Sequence, residues 1–174
     1  MIVIALLRGV TPTGKNRIPK MSYCVEILAG AGLKNVRTYI QSGNIIFDSE
    51  LPFSILRELI HDTIKKHIGA NLSVIIKTAE KLRIACRECP FGPEYDAGRV
   101  HLVFTNDPID DVILSQVMEV QHGDEILAVG SECLYLYLPR SATRKKLNST
   151  YLERKLGIAA TMRKLNVVKH ISDM

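Results

Sequence analysis

Residues 2–48 contain IVIALL (2–7), RGVTPTGKN (8–16), a stretch opened by Pro19, and RTYIQSGNIIFD (37–48). The first segment is short, apolar and β-branched at its start, which predicts a buried strand. Gly9, Pro12 and Gly14 make residues 8–18 a loop. Pro19 suits the first turn of a helix over about 19–30, with an apolar stripe of Met21, Val25, Leu28 and Ala29 and with Gly30 and Gly32 as stops. Residues 35–42 alternate, Val36, Thr38 and Ile40 against Arg37, Tyr39 and Gln41, as a half-buried strand does. Gly43-Asn44 predicts a two-residue II′ hairpin back into Ile45–Phe47.

Working outward, Phe53, Leu56, Leu59, Ile60 and Ile64 recur at helical spacing over 53–68, Gly69 ends that helix, and LSVIIK (72–77) is a strand. The order is βαββαβ, the split-βαβ or ferredoxin-like unit. Residues 78–89 read as a connecting helix, and the turn formers of PFGPEYDAGR (90–99) mark a boundary. The pattern then restarts. VHLVFT (100–105) is a strand, 108–120 a helix, EILAV (125–129) and CLYLYL (133–138) a hairpin on Gly130-Ser131. Thr150 and Glu153 have capping-box spacing for a helix at 151–156 closed by Gly157. A short strand at 158–161 completes the second βαββαβ, and Thr161 caps a terminal helix over 162–172. The fold expected is therefore α+β, two ferredoxin-like units in tandem. Each has an antiparallel sheet with helices on one face, and an extra helix ends the chain. The first unit is placed at 1–78, the connecting helix and linker at 79–99, and the second unit with its terminal helix at 100–174.

The chain has 174 residues, 47% hydrophobic and 24% charged, enough to bury a core without metal or disulfide staples. No apolar run reaches the roughly 18 residues of a membrane span. MIVIALLRG is too short for a signal h-region and lacks a basic n-region. Cys24, Cys86, Cys89 and Cys133 show no framework spacing, so reduced thiols and a cytoplasmic location are expected.

Charge is sorted along the chain. Residues 1–78 hold ten Lys/Arg and five Asp/Glu. Residues 107–132 carry seven acids and no Lys or Arg, whereas 139–170 carry nine bases and the single acid Glu153. Arg8 to Lys20 has four bases and no acid. Such asymmetry points to an anionic partner, an anionic small molecule or nucleic acid; its plainer reading is a solvated basic face.

Gly9 to Lys15 fits G-x-x-x-x-G-K after a strand, most of a phosphate-binding loop. Asn16 supplies no hydroxyl for magnesium, and Pro19 starts the helix too late, so a simpler anion-binding or structural loop is the better reading. Cys86-x-x-Cys89 is half a zinc site with no second half, and the five histidines are scattered; no metal and no cofactor are expected. Tyr135 and Tyr137 share a strand face and suggest base stacking, but without an RNA-binding signature we read that face as packed on a helix or on the other sheet. Arg163, placed in the first turn of the terminal helix after Thr161, offers a fork donor to an anion. Arg8 and Lys15 flank the loop of the first half, and the two basic loops are expected to meet across a cleft.

LLRGVTPTGKNRIPKM (6–21), RTYIQSGNIIF (37–47) and KLNSTYLERKLGIAATMRKLNVVKHI (146–171) resemble the bacterial family known as domain of unknown function 1697. The resemblance is most specific in the first 48 residues. It implies a duplicated ferredoxin-like fold and no established activity. Positions matching its pattern are Arg8, Gly9, Gly14, Lys15, Asn16, Ser42, Gly43, Asn44, Thr161 and Arg163. The tail departs, with Lys164 and Leu165 where the family tends to have Asn and Trp, and Cys89 replaces Asn in an Asn-Pro-Phe. The expected function is binding of an anionic ligand (phosphate, nucleotide or nucleic acid) by Arg8, Gly9, Gly14, Lys15, Asn16, Ser42, Asn44, Thr161 and Arg163. An enzyme acting on a phosphorylated or carboxylated small molecule and a structural homodimer are the alternatives left open.

Overall fold

Strand β1 (Ile2–Arg8) buries Val3 to Leu7 almost completely inside a four-stranded sheet. The computed structural model describes all 174 residues. They divide into two compact units, Met1–Ala79 with Met174, and Glu80–Asp173.

In the first unit β1 is followed by α1 (Met21–Gly30), β2 (Lys34–Tyr39), β3 (Asn44–Asp48), α2 (Phe53–Ile68) and β4 (Ser73–Thr78). The sheet order is β2-β3-β1-β4 and every pairing is antiparallel. Val3, Ala5 and Leu7 share a core with Cys24 and Leu28 of α1, Leu56, Ile60 and Ile64 of α2, and Phe47 and Ile76 of the flanking strands. Each large aliphatic side chain so buried contributes about 1.5–3 kcal/mol. The buried stripe of α1 is Met21, Cys24, Ile27 and Leu28; Val25 is half-buried and Ala29 exposed. The expected stripe was rotated because Cys24 packs here as a small hydrophobe.

The β2–β3 connection is a four-residue turn, Ile40–Gly43, and not the two-residue II′ hairpin expected from Gly43-Asn44. Ile40 (φ 51°) and Gly43 (φ 82°) take left-handed backbone, and Asn44 opens β3. The physical reason is close approach: a Cβ on Gly43 would lie 2.8 Å from Leu7 Cβ, while Leu7 N donates to Gly43 O at 2.9 Å.

The second unit holds α3 (Ala79–Arg87), a short 3-10 turn (Ala97–Arg99), β5 (Val100–Thr105), α4 (Asp111–Glu119), β6 (Ile126–Val129), β7 (Leu134–Tyr137), α5 (Ser149–Leu156), β8 (Ala160–Lys164) and α6 (Leu165–Ser172). Its sheet is again antiparallel, in the order β6-β7-β5-β8. The protein is thus α+β, with two four-stranded antiparallel sheets and six α-helices. Val103, Leu134, Leu136, Leu152 and Leu156 form the core on one face. Tyr135 alternates away from that core, is 1% exposed, and its hydroxyl donates to Ala85 O at 2.6 Å. Ala85 lies in the last turn of α3, where carbonyls lack an intrahelical partner, so the tyrosine caps a helix end. Helices therefore reach both faces of this sheet, where helices on one face were expected, and the reading of the tyrosine face as packed holds for Tyr135. Tyr137 joins Phe91 and Tyr95 in an aromatic cluster with centroids 4.8–5.7 Å apart, which ties residues 90–99 to the sheet.

Two local expectations in this unit are corrected. Helix α5 starts at Ser149, capped by Asn148 Oδ1, which accepts from Tyr151 N at 2.8 Å. Thr150 is then inside the helix, and Glu153 accepts from Ala160 N at 3.0 Å, so no capping box forms. Strand β8 runs through Lys164, so Thr161 is a strand residue and α6 begins only at Leu165. Thr161 looks like a helix cap, but strand pairing of Leu102 with Arg163 and His101 with Lys164 extends the sheet instead.

Candidate functional site

The connection from β1 to α1 is shaped by its own hydrogen bonds. Gly9 (φ 101°) turns the chain out of the sheet. Thr11 N then donates to Asn16 O at 3.1 Å, Thr11 Oγ1 to Thr13 O at 2.7 Å, and Arg17 N to Gly14 O at 3.3 Å. Gly14 supplies the second left-handed residue, φ 81°, with open space around its Cα. Asn16 Oδ1 accepts from Asn71 N at 3.0 Å, tying the loop to the α2–β4 connection. Ile18, 1% exposed, plugs the core, and Gln41 Nε2 donates to its carbonyl at 2.7 Å.

These bonds gather Arg8, Gly9, Gly14, Lys15, Asn16, Ser42 and Asn44 at one end of the first sheet. Arg8 ends β1 opposite Ser73. Asn44 is fully buried, and its amide donates to Tyr39 O and Ser42 Oγ, each at 3.0 Å, which staples the β2–β3 turn beside the loop. Lys15, Arg17 and Lys20 are exposed, and no acidic side chain occurs between Arg8 and Lys20. A nucleoside-triphosphate loop would carry its helix directly behind the Gly-Lys pair; here α1 begins at Met21, and the loop N–H groups of Thr11 and Arg17 are spent on loop carbonyls.

Thr161 and Arg163 belong to the second unit. Arg163 is 8% exposed, and its Nη1 donates to Thr161 Oγ1 at 2.7 Å and to Met162 O at 3.0 Å. The fork is thus engaged by its own strand. His101, beside it on β5, is held below the usual histidine range, first by burial and then by the charges of Arg99 and Lys164. Burial pushes the thiols of Cys24 and Cys86 up to about 11, so neither is a ready nucleophile at neutral pH. No three His, Cys, Asp or Glu side chains come together as a metal site needs. A groove of about 530 Å³ between α1 and α2 is lined by Tyr23, Glu26, Asp62, Lys66 and His67. Its mixed charge defines no single ligand class.

A group outside the expected set surrounds Tyr151. Lys146, Arg154 and Lys155 all lie within 6 Å of its ring centroid. The i, i+3, i+4 spacing of Tyr151, Arg154 and Lys155 was the signal for it in the sequence.

The fold and loop define a tandem α+β protein with a cation-bearing glycine loop at the sheet end of its first unit. The chain belongs to the DUF1697 family, described as a protein of unknown function, whose pattern matches residues 1–135. A solved relative is the conserved bacterial protein SP0830 from Streptococcus pneumoniae, 22% identical, with a TM-score of 0.73 over 99% of this chain and 97% of that one. That likeness concerns the fold. No curated protein matches the chain.

Proposed function

We propose that the chain is a cytoplasmic bacterial protein of two ferredoxin-like units that binds a phosphate-bearing ligand at the basic loop of the first unit. The fold reading is supported by the βαββαβ order in each unit and by sheet orders in which the first and third strands are central and the last strand pairs beside the first at the edge. The bacterial relative and four cysteines outside any disulfide support origin and compartment. The observation that carries the binding function is the loop itself. Its backbone is fixed by bonds to Asn16 and Asn71, so Lys15, Arg17 and Lys20 are presented on a preformed frame with no acid to neutralise them. Preformed frames reduce the ordering cost of binding.

The test is a thermal-shift series with inorganic phosphate, pyrophosphate and nucleotides. A ligand at a hundred times its Kd stabilises by about 2.7 kcal/mol. For a chain of this size that raises Tm by about 5–10 °C. Lys15→Glu is expected to abolish the shift while Lys65→Glu, on the exposed side of α2, retains it. A shift unchanged by Lys15→Glu removes the loop from the site.

A further inference from the structure

We propose that the second unit carries a separate site for the phosphate oxygens of an extended polyanion, a nucleic-acid backbone, formed by Lys146, Arg154 and Lys155 around Tyr151. It does not rest on the loop of the first unit. The three cations converge on one ring: Lys146 Nζ is 5.4 Å from its centroid, and Arg154 Cζ and Lys155 Nζ are each 5.9 Å away. Any two of these charges therefore lie within about 12 Å of each other, close to the screening length of about 8–10 Å at physiological salt. None of the three forms an ion pair, and Glu153, the only acid in residues 139–170, accepts from Ala160 N at 3.0 Å.

The frame beneath them is buried and hydrogen-bonded. Tyr151 is 5% exposed, and its hydroxyl lies 3.1 Å from His122 Nε2. Burial, then the charge of Lys146, lowers the histidine's pKa, which favours its neutral form. Glu125, 6% exposed, accepts from Lys146 N at 2.6 Å and Leu147 N at 2.9 Å, which pins the basic loop at its root. Leu147 is buried in the core and Asn148 caps α5. Like charges are thus held together by a buried scaffold, an arrangement that an anion relieves.

The chemistry favours a repeated phosphate over a single one. Arg140, Arg144 and Lys145 extend the exposed positive surface along the loop leading into α5. Tyr151 is too buried to stack a base, so contact is with the backbone and carries no sequence preference.

The test uses the full chain and fluorescence anisotropy with a labelled 20-nucleotide single strand between 50 and 200 mM salt. Lys146→Ala/Arg154→Ala/Lys155→Ala is compared with a matched surface triple, Lys34→Ala/Lys65→Ala/Lys169→Ala. Removing three phosphate contacts makes the slope of log K against log salt shallower by about 2. The site triple is expected to lose at least tenfold in affinity at 50 mM salt, the matched triple less than threefold, with homopolymers of different bases binding alike. Equal losses in the two triples overturn the site, as does competition by millimolar inorganic phosphate that displaces the strand completely, which assigns a single-anion site instead. Amide shift perturbation on the unmodified protein is independent of variant folding. Changes centred on residues 144–155 support the proposal. Changes confined to residues 9–20 overturn it and leave the loop of the first unit as the binding element.

Discussion

Gly43→Ala perturbs the one turn that joins the core of the first unit to its candidate site. Two costs add. At φ 82° an L side chain sits in the left-handed region, which costs about 1–2 kcal/mol. The new methyl would also lie 2.8 Å from Leu7 Cβ and 3.2 Å from Leu7 Cγ and Cδ1. Leu7 cannot yield by a rotamer change, because its Cβ is fixed to β1, the central strand, and its N–H is bonded to Gly43 O. Overpacking of this kind costs about 1–3 kcal/mol. The sum is about 2–5 kcal/mol. Gly14→Ala is the internal control: its φ is 81°, but nothing lies within 4 Å of the added carbon, so only the backbone cost applies. The two variants should differ by about 1–3 kcal/mol, or about 0.5–1.5 M in urea midpoint for a slope near 2 kcal/mol/M. The assay is hydrogen exchange at amides of β1 and β3 across a urea series, which reports the first unit alone. Equal protection in Gly43→Ala and Gly14→Ala would refute the argument that close approach to β1 dictates this glycine.

Two further outcomes follow from the second unit. Tyr135→Phe leaves Ala85 O without its donor in a buried setting and should destabilise this unit by about 1–3 kcal/mol, measured as lost exchange protection in β7; an unchanged value would mean the carbonyl finds another partner. Burial holds His101 and His122 below the ordinary histidine value of about 6.5 in the folded protein, so the unfolded chain binds more protons just under that pH. Stability is accordingly full above about 6.5 and declines as pH falls below it. Urea midpoints at pH 7.5 and 5.5 check the sign, and a midpoint that rises on acidification contradicts it.

What was legible in the sequence was whatever has a period. Strand β1 reads from IVIALL, α2 from Phe53, Leu56, Ile60 and Ile64, and β5 from VHLVFT, because burial on a strand or helix face imposes spacing on the residues themselves. The errors fall where tertiary contact overrides a local signal. Gly43-Asn44 looks like a hairpin pair, yet the glycine is required by Leu7, which is distant in sequence. Thr150 and Glu153 have capping spacing, but Glu153 is drawn to Ala160. Thr161 suggests a helix cap, and pairing with β5 keeps Arg163 and Lys164 extended. The glycine loop of the first unit was readable because its shape comes from its own residues. The cluster at Tyr151 was counted as basic charge without being recognised as a group, since its third member, Lys146, arrives from a loop whose path is set by buried Glu125.

The two units share an element order and a sheet order but not the placement of charge. In the first, a run of four bases with no acid lies in the connection from the opening strand to the first helix, Arg8 to Lys20. The equivalent connection in the second unit, between β5 and α4, contains Asp107 and Asp110 and no base. There Asp110 has a different task, accepting from Val112 N and Ile113 N at 3.0 Å to start the helix. In the second unit a run of bases, Arg140 to Lys155, lies instead between β7 and α5 and on α5 itself. Arg163, the position matched to the family pattern, is engaged within its own strand. A repeated scaffold therefore does not carry a repeated site. If both basic regions bind phosphate, they do so on frames with different construction, one closed by glycines and Asn16, the other rooted in Glu125 and the Tyr151–His122 pair, and substitutions in one should leave binding at the other intact.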